Sequence, residues 1–515
     1  MKNIIAKRIL GVLVIVALFL GGCADNDDYA NALPNDAAAV VVLDLNSLAE
    51  KSGLSGEENP AMKNRIVNLL KSGLSGADDL INRIYDDPNQ SGIGLNKGVF
   101  LFAGREWSTT GVVAKVEDEG KLENLLDVIS KQNLCAPVME TDGGHWTYMG
   151  KWIIAYSSKS LVLMSDTKSY DASKLERRAS MMLRQQDGEG FAGKKDFSEL
   201  MAKKSDVGIW MSLDIMPREK LFMMTAGISG GLSLSEVRGL MHLNLEKGKT
   251  VVEWKSLMED DIMNNFTANI QTSMGTIEGK HLSAFPANTP VWMAANVKGK
   301  QMYEFINGIP LVKNAFVKTL IPLDFESIFS ALNGDMSFAI TDVMNGKFIL
   351  MGDVDNENFM STFEDLKPLL RLTNGQMVLN TVGNHEYEFY ASDASALGLG
   401  SGRIMLWFGV RDGRLYLTND KNLVDRKVLG LSLEDNSWSG IVKGQRVFMA
   451  VNMKSLQYGV MNKKALEAFE RYTSIPVSGI DCLVLSSREP NSGSIEIGHT
   501  EKNKTFLEVL LSAIL

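Results

Sequence analysis

Cysteine, proline and long apolar sequence are scarce in this chain of 515 residues, and each shortage excludes a class of protein. Three cysteines are too few for a disulfide-stapled scaffold, and 12 prolines with no long polar tract exclude extended linkers. The apolar run at 9–20 is shorter than the roughly 20 residues that a membrane-spanning helix needs. What remains is an ordinary globular composition, 45% hydrophobic and 22% charged, in a chain long enough for two or more domains.

Positive charge is also in short supply. The formal net charge is −9, and removing residues 1–22, which carry three basic and no acidic residues, makes it −12. A chain with this balance gains nothing electrostatically from a phosphate backbone, so nucleic acid is excluded as a partner. The negative charge instead favours solubility.

The N-terminal residues have the layout of a bacterial lipoprotein signal. Basic residues within the first eight precede the apolar run, and Gly21 and Gly22 precede Cys23. Small residues after a short apolar segment mark the cleavage site of an export signal. We therefore expect a signal peptide at 1–22, lipidation of Cys23 and a tether at 23–32. The lipid would make the membrane a partner of this protein.

Asp25, Asp27 and Asp28 follow the cysteine directly. As charges they predict a solvated tether. They also resemble the export tag with which Bacteroidota lipoproteins reach the cell surface, although Ala24 and Asn26 interrupt the acidic residues. We expect an outer-membrane lipoprotein, and both surface display and a periplasm-facing orientation remain open.

Internal similarity indicates that the chain contains a tandem duplication. Five short segments recur in the same order at offsets of 238–254 residues: 33–45 with 285–297, 116–119 with 354–357, 161–166 with 415–420, 207–214 with 445–452, and 264–266 with 504–506. Few residues are identical in any one pair, but the constant order and the narrow range of offsets favour a repeat. We predict one repeat at 33–278 and a second at 279–515.

Both predicted repeats mix strands with helices and show no regular alternation of the two. Short apolar runs predict strands at 40–45, 98–103 and 111–116, and alternation places Met241, Leu243 and Leu245 on a buried face. Helical patterns follow Asn59, Asp118 and Asn356, and fill 264–274 and 505–515. The fold class is therefore predicted to be α+β, with a mainly antiparallel sheet in each repeat.

One segment resembles a catalytic motif, because 227–231 fits G-x-S-x-G around Ser229. In hydrolases this motif places the serine between a strand and a helix. Here a helical pattern precedes Ser229 and a strand-like pattern follows it, so the context is inverted. We interpret the segment as a loop and predict no catalytic residue.

The five histidines form no metal-binding pattern, and no cofactor motif is present. His145 and His385 occupy roughly matching places in the two repeats. They could form a paired ligand or acid–base site, but the absence of a partner acid at a defined spacing favours residues at hairpin tips. Cys135 and Cys482 could form one disulfide, and the preferred interpretation is two buried thiols.

The opening of the repeat region resembles a known family. Residues 33–37, 41–48 and 51–54 are similar to the Pro-x-Asp-Ala turn, apolar strand, Ser-Leu and Lys-Ser-Gly-Leu of Bacteroides-type lipoproteins. That family is uncharacterised and known only as a domain of unknown function. The resemblance implies an anchored envelope protein and supplies no catalytic residues.

Three functions are therefore compared. The leading hypothesis is a non-enzymatic, lipid-anchored envelope protein that acts as a binding or structural module, with an envelope protein or a glycan as its partner. The alternatives are an extracytoplasmic hydrolase and a glycan-binding surface lipoprotein. For the last of these, Trp107, Trp146, Trp438 or Tyr148 would be the sugar platforms, although such aromatic residues are more often half-buried at hairpins.

Overall fold

The structure is a computed structural model of the chain. It describes residues 28–53, 78–215 apart from 96, 106–107, 142–143 and 169, then 237–308, 323–393, 402–460 apart from 426–427, and 477–514, with four isolated positions between 54 and 77. Cys23, Ser229, Trp107 and the start of the helix predicted after Asn59 lie outside these residues. The described part contains 11 α-helices and 20 strands, which confirms the α+β class and the mainly antiparallel pairing.

The chain divides into two compact units that are not continuous in sequence. Unit 1 comprises 1–215, 238–254 and 501–515, and unit 2 comprises 216–237 and 255–500. The segment at 501–515, which ends the chain, thus belongs to unit 1. The segment that follows residue 254 belongs to unit 2.

Unit 1 is built on ten strands. They are β1 Ala37–Leu43, β2 Val99–Gly104, β3 Thr109–Lys115, β4 Met139–Thr141, β5 Gly144–Met149, β6 Trp152–Tyr156, β7 Ser160–Asp166, β8 Val207–Ser212, β9 Arg238–Glu246 and β10 Lys249–Leu257. Their order across the sheet is β4-β5-β6-β7-β3-β2-β1-β8-β9-β10. The central pairs, from β2 with β3 to β1 with β8, are antiparallel.

Unit 2 is also built on ten strands. They are β11 Val291–Lys298, β12 Leu332–Asp342, β13 Lys347–Val354, β14 Met377–Gly383, β15 Glu386–Ala391, β16 Ile404–Arg411, β17 Arg414–Thr418, β18 Val447–Asn452, β19 Ile480–Ser487 and β20 Ser492–His499. Their order is β14-β15-β16-β17-β13-β12-β11-β18-β19-β20, and all these pairs are antiparallel.

The helices lie between these strands in the sequence. They are α1 Leu45–Lys51, α2 Asp78–Asp86, α3 Glu119–Lys131, α4 Ala172–Arg184, α5 Lys195–Met201, α6 Asp260–Ser273, α7 Gly299–Asn307, α8 Phe325–Ala331, α9 Ser361–Arg371, α10 Met453–Val460 and α11 Phe506–Ile514. In unit 2, α6 contacts α7 and β11; in unit 1, α11 contacts α1 and β9. The helices predicted at 264–274 and 505–515 are α6 and α11.

Local sequence accounts for where α3 begins and which face it buries. The Asp118 carboxylate accepts a hydrogen bond from the Lys121 N–H at 3.0 Å, which satisfies one free donor of the first turn. The apolar stripe of α3 is buried as predicted: Leu122, Leu125, Leu126 and Ile129. Asn356 accepts from the Asn358 N–H and begins a 3-10 turn that leads into α9.

Two strand predictions need correction. The strand predicted at 40–45 ends at Leu43, because the Asp44 carboxylate accepts from the Ser47 N–H and caps α1. In β9 the predicted alternation is wrong in part: His242 is only 6% exposed, whereas Leu243 is half-buried. His242 Nδ1 lies 3.1 Å from Ser205 Oγ, so a polar partner within the fold compensates for its burial.

The core of unit 2 supports the face of the sheet that carries the candidate site. Trp292, Ala339, Ile349 and Phe448 from neighbouring strands form this core, which also includes Phe285. The indole of Trp438 stacks on Trp292 with ring centroids 6.0 Å apart. These apolar side chains therefore pack beside the 3-10 helix Leu282–Ala284.

Candidate functional site

Unit 2 has a group of polar side chains that we call the buried cluster: His281, Asn296, Asp335, Ser337 and Asp353, with the exposed Lys280 at its edge. It lies where β12 and β13 meet the segment that precedes β11. Because side chains alternate along a strand, Asp335 and Ser337 face the same side of β12. Ser337 is paired with Met351 in the β12–β13 register, and Asp353 lies two residues further along β13. The sheet thus brings carboxylate, hydroxyl and imidazole groups to one face.

His281 connects a hydroxyl and a carboxylate. Its Nδ1 lies 3.0 Å from Ser337 Oγ, and its Nε2 lies 3.2 Å from Asp353 Oδ1. His281 is 1% exposed and Ser337 is 3% exposed. The three residue types are those of a hydrolase triad, but the two ring nitrogens are exchanged relative to that triad, in which serine contacts Nε2 and aspartate contacts Nδ1. The serine here is also closed off from solvent.

Asp335 occupies a nest of backbone donors. Its carboxylate accepts hydrogen bonds from the N–H groups of Glu278 at 2.9 Å, Gly279 at 2.7 Å and Lys280 at 3.2 Å, and from Asn296 Nδ2 at 2.9 Å. Asp335 is 2% exposed. Convergent backbone N–H groups are what an oxyanion hole requires. Here a carboxylate of the chain itself fills them.

The charges of the buried cluster balance one another. Burial acts to raise the pKa of Asp353, but hydrogen bonds from Lys280 and His281 outweigh it and hold that pKa below its usual value. Burial lowers the pKa of His281, which Asp353 opposes and the charge of Arg414 reinforces. Hydrogen bonds to Glu278 and Asp353 raise the pKa of Lys280. The arrangement therefore favours a neutral imidazole beside an ionised Asp353.

The chemistry available to the buried cluster is limited by its closure. A neutral His281 could accept a proton from Ser337, which is the first step of nucleophilic catalysis. However, a substrate would have to reach a hydroxyl that is buried, and the nearby N–H donors already bind Asp335. The geometry therefore supports a structural polar network more than a catalytic site.

Beside the buried cluster, unit 2 has an open cleft with a volume of about 170 Å³. Apolar walls come from Phe285, Pro286 and Met351 among others, and charged groups come from the hairpin between β16 and β17. Arg411 lies in this hairpin directly opposite Arg414. We call this feature the unit 2 cleft.

The two arginines of the unit 2 cleft differ in their partners. Arg411 makes a bidentate contact with Glu386, at 3.1 and 2.6 Å, and binds Asp425 at 2.8 Å. These contacts lower the pKa of Glu386 and raise that of Arg411. Arg414 is exposed, and none of the residues that the structure describes lies within ion-pairing distance of its guanidinium. Arg414 thus forms no ion pair with the described residues, although Asp412 also lines the cleft and Asp353 lies opposite Arg414 in the β13–β17 register.

The matched histidines each have a carboxylate partner. His145 Nε2 lies 3.5 Å from Glu119 Oε1, and His385 Nδ1 contacts Glu357 Oε2. Glu119 and Glu357 are themselves one of the sequence-matched pairs, but the histidine follows its glutamate by 26 residues in unit 1 and by 28 in unit 2. His145 lies in β5, and His385 lies in the turn before β15 with φ at 53°.

The aromatic candidates are engaged in packing or hydrogen bonds. Trp438 stacks in the unit 2 core, and the Tyr148 hydroxyl donates to Glu176 at 2.5 Å. Trp146 is half-buried in β5. Among the described residues neither Cys135 nor Cys482 forms a disulfide; Cys135 is buried as expected, whereas Cys482 is only half-buried.

The described residues contain neither a metal-binding cluster nor a membrane-spanning helix. In that part of the chain no group of three or more His, Cys, Asp or Glu side chains is arranged to hold a metal ion. Likewise, no described helix is both long and apolar enough to cross a membrane.

The buried cluster and the unit 2 cleft were not found from the sequence. His281 was counted among five scattered histidines, although it stands four residues before the matched segment that begins at 285. Ser337 and Asp353 lie within ordinary strand patterns. Only the strand register brings them to His281.

Fold and site together define an α+β protein of two ten-stranded units, one of which encloses an acid–base cluster. The chain belongs to a family described as a domain of unknown function (DUF4836), whose model matches residues 29–504. Membership of a family of unknown function, expected from the sequence, is thus confirmed. No curated protein matches the chain.

Solved structures give only a remote likeness. Crystal form I of TP0453 is 12% identical, with a TM-score of 0.26, over 46% of this chain and 86% of that one. Crystal form III of the same protein is 10% identical, with a TM-score of 0.27, over 50% of this chain and 91% of that one. At such scores nothing about the fold or function of this chain follows from the match.

Proposed function

We propose that this protein is a lipid-anchored protein of the outer membrane that acts by binding and not by catalysis, and that its two units arose by duplication. The observation that carries the proposal is the closure of the buried cluster. Its serine is buried and its backbone donors hold Asp335, whereas the adjacent cleft is open and is lined by Arg414, which forms no ion pair with a described residue. An open cleft with apolar walls and a few polar groups is the usual form of a ligand site.

The strand order supports the duplication. Adding ten to each strand number of unit 1 reproduces the order of unit 2 from end to end. The residues that pair across neighbouring strands also correspond between the units. The cross-strand row Val42, Phe100, Val113, Val162 of unit 1 corresponds to Ala294, Ser337, Met351, Tyr416 of unit 2. The offsets along this row include the 252, 238 and 254 that the sequence segments gave independently.

The anchor is supported by the signal-like sequence that ends at Cys23. Replacing this residue should block acylation, because only its thiol can carry the lipid. Labelling of cells with an alkyne fatty acid tests this: wild type and the control Cys482→Ala should be labelled, and Cys23→Ala should not. Equal labelling of all three proteins would contradict the anchor.

The absence of catalysis is tested with a fluorophosphonate probe, which reacts with activated serines. We expect the folded protein to remain unlabelled, since Ser337 is buried and Ser229 lies in a sequence context that does not fit a hydrolase. A known serine hydrolase in the same reaction verifies the probe. Stoichiometric labelling that disappears in Ser337→Ala or in Ser229→Ala would refute the proposal and make the protein a hydrolase.

A further inference from the structure

Each unit has a cleft, and the two clefts lie at corresponding positions. The unit 1 cleft is lined by Ala32 and by three serines of the β6–β7 turn, Ser157, Ser158 and Ser160. Under the offsets of 252 and 254 these residues correspond to Ala284 and to Arg411, Asp412 and Arg414, which line the unit 2 cleft. In both units the remaining wall includes residues that follow the seventh strand. A feature that recurs in this way is a property of the fold and not an accident of one loop.

The polar groups of the unit 1 cleft are bonded to one another. Lys159 forms an ion pair with Asp28 at 3.5 Å, and Asn31 contacts Asp187. Gln185 Nε2 donates to the Asn31 carbonyl at 2.6 Å. These side chains therefore have hydrogen-bond or ion-pair partners within unit 1. The serines that correspond to Arg411 and Arg414 carry no charge.

The unit 2 cleft has the opposite character. Arg411 and Arg414 face each other across the hairpin, and like charges at such positions repel. Glu386 and Asp425 form ion pairs with Arg411, whereas Arg414 forms none with a described residue. An arginine guanidinium has the geometry to bind a carboxylate through two parallel hydrogen bonds. The nearby walls, which include Phe285, Pro286 and Leu423, offer apolar contact for the rest of a ligand.

We propose that the unit 2 cleft binds a small organic acid, with its carboxylate on Arg414 and its apolar body against Pro286 and Met351. This inference rests on the proposed binding function and names the ligand class. The small cleft volume of about 170 Å³ limits the ligand to a short chain or a single ring. Ala284 and Met351 lie close to the closed buried cluster, so the ligand would occupy the open side of the same sheet face.

Hexanoate is a suitable probe, and saturation-transfer NMR on the full chain detects its binding. Hexanamide has the same shape without the charge, and inorganic phosphate has charge without an apolar body. Replacing Arg414 with Gln should weaken hexanoate binding by about 10-fold or more, since a hydrogen bond between charged groups is lost. Arg414→Lys keeps the positive charge but cannot form two parallel hydrogen bonds, so its loss of hexanoate affinity should be intermediate. The matched control is Arg371→Gln, an exposed arginine at the end of α9, and it should bind as wild type does.

The possible results separate cleanly. Binding of hexanoate that is lost in Arg414→Gln and kept in Arg371→Gln supports the inference. Failure of hexanoate to bind wild type, equal binding of hexanamide, or full competition by phosphate overturns it. None of these results affects the fluorophosphonate test, so the ligand class can fail while the proposal of a non-enzymatic protein stands.

Discussion

The two units share one strand order, but different kinds of side chain occupy the same position in it. In unit 1, Tyr29 packs on Phe100 with ring centroids 5.7 Å apart and donates its hydroxyl to the Gly98 carbonyl at 2.6 Å. Under the offsets above, the counterparts of Tyr29 and Phe100 are His281 and Ser337, which contact each other through nitrogen and oxygen. The strand register is unchanged between the two. The shared strand arrangement therefore does not determine which side chains occupy this position.

The polar side chains at this position of unit 2 need more hydrogen-bond partners than the aromatic side chains of unit 1. The buried aromatic pair of unit 1 is stabilised mainly by its area and contact geometry, and only the Tyr29 hydroxyl needs a hydrogen-bond partner. A buried imidazole, hydroxyl and carboxylate must all find partners, because each unsatisfied group is costly. In unit 2, Lys280, Asn296 and the backbone of 278–280 supply those partners. Unit 2 should thus be the more sensitive of the two to single polar substitutions.

The largest effect is expected from deleting the segment 501–515, which belongs to unit 1 although it follows unit 2 in the sequence. Thr505 and Glu508 cap α11 reciprocally, at 2.8 and 3.1 Å, and the Thr505 hydroxyl contacts the Lys51 carbonyl of unit 1. Deleting 501–515 should destabilise unit 1 by about 5 kcal/mol, from the loss of roughly five half-buried apolar side chains. Hydrogen exchange read by mass spectrometry should show faster exchange in β1 and β9.

Unit 2 serves as the internal control in that experiment. Its strands β11 to β13 should exchange at the wild-type rate, since 501–515 belongs to unit 1. Equal loss of protection in both units would contradict the assignment of the terminal segment to unit 1 alone.

The second largest effect is expected from removing the buried carboxylate of Asp335 in unit 2. Asp335→Ala should lower the free energy of unfolding of unit 2 by about 3–5 kcal/mol, because three backbone N–H groups and one amide lose their acceptor in the interior. Unit 1 has Gly98 at the corresponding strand position, and no such carboxylate. Calorimetry should therefore show one transition moved and the other not. Asp365→Ala, an exposed carboxylate on α9, is the control and should change stability by less than about 0.5 kcal/mol.

Much of the frame could be predicted from sequence, because its signals are local. The cap at Asp118 and the stripe from Leu122 to Ile129 depend only on neighbours within one helix, and both are confirmed. Strand alternation was less reliable. His242 is buried because Ser205 accepts or donates to its ring, a contact between residues 37 apart that no local pattern contains.

The candidate site could not be predicted, because it depends on register. Ser337, Asp353 and His281 meet only when β12 and β13 pair as they do and the segment before β11 crosses them. The sequence match of 207–214 with 445–452 illustrates the same limit. The pairing of β1 with β8 and of β11 with β18 places Val207 opposite Leu43 and Val447 opposite Ala295, an offset of 240 where the sequence suggested 238. A shift of two residues leaves side-chain alternation intact and is invisible to a pattern.

A third effect uses pH to compare one buried histidine in each unit. Burial lowers the pKa of both His242 in unit 1 and His281 in unit 2 below 6.5. As pH falls below 6.5 the unfolded chain binds a proton that the folded chain does not, so stability falls. The loss per histidine between pH 7.5 and 5.5 is at most about 1.4 kcal/mol. The lowered pKa of Asp353 acts only near and below its ordinary value of 3.8, outside this window.

Single substitutions assign the pH effect to its unit. His281→Gln should flatten the pH dependence of the unit 2 transition and leave that of unit 1, and His242→Gln should do the reverse. The measurement is the melting temperature of each transition at several pH values. A transition of unit 2 that remains as pH-sensitive in His281→Gln as in wild type would show that another group controls it.

The smallest effect concerns the two matched histidine–glutamate pairs. All four side chains are between 22% and 40% exposed, so solvent screens both pairs. Double-mutant cycles of His145 with Glu119 and of His385 with Glu357, using Gln at each position, should give coupling free energies of about 0.5 kcal/mol or less. Coupling should shrink in 1 M salt, which screens exposed charges. Glu123 lies 4.0 Å from His145 Nδ1 and offers a second carboxylate in unit 1, so the cycle with Glu119 should give the smaller coupling of the two. Coupling above about 2 kcal/mol in either cycle would indicate that the pair is shielded from solvent and would make these histidines candidates for a functional role.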